Sequence, residues 1–149
     1  MDSMPHDVMG DPAGAAAGAR GLGRKIVAVV LGLVAWVVVA SVADRLLRVA
    51  WPAYAAALPT FSFSLGMLCA RQVEGAAATL AVGWVVGAIA KGHRPTAVAA
   101  GIVLLLFFVP GHAHLWEKFP VWYHVLFLGS LLPLTVVGAR RRGAHAAQT

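Results

Sequence analysis

Apolar residues in this chain come in long uncharged runs, not at amphipathic or alternating spacing. Residues 26–43 are 18 positions without a charge, enough for a helix to cross a bilayer at about 1.5 Å per residue. Arg20, Arg24 and Lys25 precede the run, and the helix can continue past Asp44 to Arg48, which pair at i, i+4. Residues 49–70 are also uncharged, but Pro52, Pro59 and the small run Ala55 to Ala57 argue against a crossing. An interfacial or re-entrant connection is expected there, not a fifth span. Three more runs follow, with Lys91-Gly-His-Arg-Pro95 separating the first two. Pro110 is expected to loosen the end of one run, and Pro133 leaves the Gly129 carbonyl of another without its helical donor.

The pattern predicts an all-α integral membrane bundle of four transmembrane helices, over about 26–47, 66–90, 96–115 and 120–139. Residues 1–25, rich in Gly, Ala, Pro and Asp, are expected to form a disordered tail ahead of the 26–139 membrane domain. Residues 140–149 are expected to form a short basic tail. The Ser41-Val42-Ala43 stretch resembles a signal-peptidase site, but the long apolar core and extended leader favour a retained span.

Composition narrows the classes. Of 149 residues, 60% are apolar and 12% charged, and the mean hydropathy is +0.78. A water-soluble fold of this make-up would leave much apolar surface uncovered. The lone Cys69 rules out an internal disulfide framework and a cysteine-built metal site. The net charge of +6 flanks the apolar runs instead of forming a stripe, so lipid headgroups, not nucleic acid, are the expected counterpart. There is no phosphate loop, zincin motif or evident serine nucleophile, so an enzyme is not expected. The Ala, Gly and Arg bias, with three Lys, points to a GC-rich bacterium.

With four spans, Arg20, Arg24, Lys25, Lys91, Arg94 and Arg140 to Arg142 share one side, eight basic residues against four (Arg45, Arg48, Arg71, Lys118) on the other. The positive-inside rule then places both termini in the cytoplasm of a bacterial inner membrane. Trp51, Tyr54, Trp116, Phe119, Trp122 and Tyr123 would form an aromatic belt at the outer interface.

Gly75, Thr79, Gly83 and Gly87 recur every four residues, a stripe that lets another backbone approach. It serves packing within the bundle or, alternatively, a dimer contact. Trp36 and Trp84 are expected to fill space opposite glycine-rich surfaces, with a cofactor or quinone contact as the alternative.

Ionisable groups converge at one depth. By helical rise, Asp44, Glu74, His112 and His124 fall roughly 3–7 Å inside the outer hydrocarbon edge, with Arg48, Arg71, His114 and Glu117 nearby. Such groups are costly there and call for an explanation. The plainest is interfacial pairing, Asp44 with Arg48 and Arg71 with Glu74. His112 and His124 are candidates for metal or haem, with Glu74 or Glu117 in support. His112 and His114 point about 200° apart on a helix and cannot share a metal there. Glu74 and His124 also suit proton-linked transport, although no acid sits at the midplane. No cofactor is assigned.

Phe108-Val-Pro-Gly-His112, followed by Leu115-Trp-Glu-Lys-Phe-Pro-Val-Trp-Tyr-His124 and a span ending in arginines, resembles a group of small four-span bacterial inner-membrane proteins of unassigned function. The resemblance covers the last third of the chain and implies no site or activity. The expected role is a non-enzymatic structural or accessory component of a membrane assembly, surrounded by lipid and joined to itself or to a larger complex. The alternative is an outward-facing metal, haem or proton-linked transport site built from His112, His124 and Glu74.

Overall fold

The computed structural model describes residues 12–146, with side chains described over 18–140. Five helices follow in order: α1 (Pro12–Ala50), α2 (Pro52–Ala57), α3 (Leu65–Ile89), α4 (Arg94–His114) and α5 (Val121–Ala146). The protein is all-α, and four of the helices are long and apolar enough to cross a membrane. Residues 49–70 contain no fifth such helix: Pro52 starts the six-residue α2, and a turn around Pro59 leads to Ser64. Ser64 caps α3 by accepting the Met67 N–H at 3.4 Å.

The first helix begins earlier than the sequence suggested. Residues 12–25, expected within a disordered tail, are helical from Pro12 onward. Pro suits the first helical turn, and the Ala-rich stretch after it adds to a helix already nucleated by the apolar span. The rest of the expected tail, residues 1–11, lies outside the described residues. At the other end, α5 continues through the triple arginine to Ala146, into the expected basic tail.

Between α3 and α4 the chain reverses in four residues. Lys91 takes a left-handed φ of 51°, and the Gly92 N–H returns to the Gly87 carbonyl at 2.8 Å. This is a Schellman ending with lysine where glycine is usual. Pro110 and Pro133 are both accommodated inside their helices.

Each long helix packs with one stripe of residues four apart: Ala28, Gly32, Trp36, Ala40 and Asp44 on α1; Arg71, Gly75, Thr79, Gly83 and Gly87 on α3; Thr96, Ala100, Leu104, Phe108 and His112 on α4; Tyr123, Phe127, Leu131, Thr135 and Ala139 on α5. All are buried or partly buried. Rows at i±4 are the ridges that helices pack with. α3 is the hub, with its broadest contact to α5 and the next to α1. The remaining face of α1 is apolar and open, with Val30, Val34 and Val38 half-exposed.

The glycine stripe of α3 is spent within the bundle. A Cβ on Gly83 would fall 2.9 Å from the Ala139 nitrogen and far inside contact of the Thr135 carbonyl, while one on Gly138 would strike the Leu80 carbonyl. α3 and α5 therefore meet backbone to backbone, as small residues permit where lipid and side chain are equally apolar. Thr79 donates to its own Gly75 carbonyl at 2.7 Å and accepts the Trp36 indole N–H at 3.3 Å. Trp36 thus fills space as expected, over Phe108 at 4.5 Å between ring centroids. Trp84 does not; it stands 50% exposed on the outside of the bundle.

Candidate functional site

Each of the four stripes ends in a polar residue at the same end of the bundle: Asp44, Arg71, His112 and Tyr123. The rows that pack the helices therefore bring these side chains together. Two clusters result, with a cavity beside them.

The first cluster is centred on Arg71. Its Nη1 donates to the Tyr54 hydroxyl at 2.8 Å and its Nε to the Tyr123 hydroxyl at 3.4 Å. Tyr54 in turn donates to Asp44 Oδ1 at 3.2 Å, and Arg48 closes the chain on Asp44 Oδ2 at 2.6 Å. Gln72 adds a bond to the Tyr123 carbonyl at 2.7 Å. One hydrogen-bonded path thus ties α1, α2, α3 and α5. The Arg71 guanidinium also lies over the Phe63 ring, 5.2 Å from its centre. Tyr54 is fully buried, and this burial raises its phenol above the ordinary value near 10. The phenol therefore stays protonated, accepting from Arg71 and donating to Asp44.

The second cluster is a histidine pair. His112 Nδ1 and His124 Nδ1 are 2.8 Å apart, so one carries the shared hydrogen and the other accepts it. His112 stacks on Phe127 and His124 on Trp116, each with 4.7 Å between centroids. His124 is 1% exposed, and its Nε2 is buried with no hydrogen-bond partner among the described residues.

A cavity of about 210 Å³ opens between these clusters, lined by Trp36, Arg71, Glu74, Phe108, His112 and Tyr123 among others. Glu74 makes no hydrogen bond or ion pair among the described residues.

Of the expected pairs, Asp44 with Arg48 forms and Arg71 with Glu74 does not. Arg71 turns instead to two buried phenols, which take up two of its N–H donors. His112 and His124 come together across α4 and α5. His114 and Glu117 are exposed and join neither cluster.

The belt divides. Trp116 remains 47% exposed, whereas Tyr54, Phe119 and Tyr123 are buried and serve the bundle. The role of Tyr54 was not evident in the sequence, because only the fold of α2 brings it under Arg71. The one available signal was a lone tyrosine between Pro52 and Pro59.

In the arrangement described, His112 and His124 are joined to each other by a hydrogen bond. Among the described residues no three His, Cys, Asp or Glu side chains are grouped to hold an ion.

Compared with family models, with curated proteins and with solved structures, the chain has no significant match.

Proposed function

We propose that this chain is a non-enzymatic four-span bundle serving as a structural or accessory component of a membrane assembly. One observation carries the reading: the polar groups at one end are largely spent on each other. Arg71 is held by Tyr54 and Tyr123, and Asp44 by Tyr54 and Arg48. Ionisable groups used this way fix which helices meet and in what register, while adding little net stability. The setting we propose is a bacterial inner membrane, as in the small four-span proteins the chain resembles, with both termini cytoplasmic on the basic-residue count.

The test is blue-native electrophoresis of the tagged chain from its own membranes, alongside the phenotype of a deletion strain. The reading expects the chain in an assembly larger than its 15.5 kDa monomer. It also expects His112→Ala/His124→Ala to keep both assembly and phenotype. Reporter fusions after His93 and after Thr149 should both report cytoplasm. A chain that migrates only as a monomer, or an external carboxyl terminus, counts against it.

A second reading, a proton-linked transport site, draws on the His112–His124 pair and the unpartnered Nε2 of His124. It would take precedence if the histidine changes abolished the phenotype while folding and assembly stayed intact.

A further inference from the structure

The cavity at the polar end borders a second, apolar one. A groove of about 300 Å³ between α1 and α4 is lined by Leu33, Val34, Val38, Leu104 and Phe107, and shares Trp36 and Phe108 with the polar cavity. α1 touches α4 sparingly, so this groove opens along the side of the bundle toward lipid. A polar chamber beside an apolar groove, with Trp36 and Phe108 lining both, suits a molecule with a compact head and a long tail.

Charge narrows the head. Arg71 and Glu74 lie one turn apart on the chamber wall, close enough to pair, yet no ion pair joins them. Among the described residues Arg71 meets two neutral hydroxyls and the Phe63 ring, and no carboxylate is in contact with its positive charge. Among the described residues Glu74 has neither a hydrogen-bond donor nor a cation in contact. A head that is purely anionic would satisfy Arg71 and meet Glu74 as a like charge. A purely cationic head would do the reverse. A zwitterion answers both, with an acidic oxygen on the guanidinium and an ammonium on the carboxylate. The aromatic walls, Trp36, Phe108, Tyr123 and Phe127, suit the ammonium further.

We propose that the polar cavity binds the headgroup of a zwitterionic phospholipid, phosphate toward Arg71 and ammonium toward Glu74, with an acyl chain in the α1–α4 groove. This goes beyond a structural role, since it gives the bundle a selective lipid site.

Native mass spectrometry of the full chain in mild detergent tests it, titrating dioleoylphosphatidylethanolamine against dioleoylphosphatidylglycerol, which has the same tails and phosphate but no ammonium. The proposal expects one saturating ethanolamine-lipid adduct, about tenfold tighter than the glycerol lipid. Glu74→Gln should bring the two lipids level, and Val34→Trp, which fills the groove, should weaken both. The preference of the wild-type chain decides the matter even if a variant fails to fold. A glycerol lipid bound as tightly or more tightly, a Glu74→Gln chain that keeps the preference, or no saturating adduct would overturn it.

Discussion

Arg71 hands an Nη1 hydrogen to the buried hydroxyl of Tyr54, 2.8 Å away, although Glu74 stands one turn along its own helix. An intrahelical pair would have held two side chains of α3 in place and nothing else. The bond to Tyr54 ties α3 to α2, and through Asp44 to α1. The same guanidinium reaches α5 at Tyr123. The polar end therefore acts as an interhelical fastener.

Removing the phenols should loosen that fastener unequally. Tyr54→Phe deletes both an acceptor for Arg71 and a donor to Asp44, so a loss of about 2 kcal/mol in bilayer unfolding experiments is expected. Tyr123→Phe deletes one longer bond and should cost about 1 kcal/mol or less. Equal effects would mean that Tyr54 does not bridge.

The phenol of Tyr54 also sets a pH limit. Its pKa in the fold lies above the unfolded value near 10 because burial disfavours the phenolate. Its stabilising contribution is therefore complete below that unfolded value and is lost as pH rises through the folded one. In a Tyr123→Phe background, where Tyr54 is the only tyrosine, absorbance of the phenolate should appear above pH 10 and coincide with loss of stability. A Tyr54 that ionises below pH 10 would contradict its buried position.

Gly83 should tolerate no side chain. Gly83→Leu drives a side chain into the Thr135 carbonyl and the Ala139 nitrogen, which are backbone and cannot rotate away. A loss of about 3 kcal/mol or more, read as failure to recover folded monomer, is expected. Gly75→Ala meets only the Phe127 ring, which can shift, and should cost less. If Gly83→Leu gave folded monomers that merely failed to self-associate, the stripe would be a dimer contact.

The histidine pair should be metal-free. Elemental analysis of the protein purified in mild detergent should find no stoichiometric zinc, iron or copper, because the two Nδ1 atoms share a hydrogen at 2.8 Å. Metal that disappears in His112→Ala/His124→Ala would reverse that conclusion.

Much of this was legible in the sequence because the bilayer constrains it. Run length allowed four or five helices, Pro52 and Pro59 favoured four, and Gly75, Thr79, Gly83 and Gly87 announced a packing stripe. Helical rise brought Asp44, Arg71, His112 and His124 to one depth, and depth is one-dimensional. Which of them touch depends on rotation about each helix axis. That information was present, since the stripe of α3 starts at Arg71 and the stripe of α4 runs on to His112. It becomes readable only when the stripes of all four helices are laid side by side. Tyr54 was beyond reach for another reason: its partner is set by a short connection whose path follows from packing on α1 and α3, not from any periodicity of its own.

The most direct measurement of the fastener is a double-mutant cycle between Arg71→Met and Tyr54→Phe, with unfolding free energies measured in a bilayer. A coupling of about 1 kcal/mol or more is predicted, the double variant losing less than the sum of the single ones. Additive losses would show that Arg71 and Tyr54 act independently, and the polar end would not be what holds α1, α2 and α3 together.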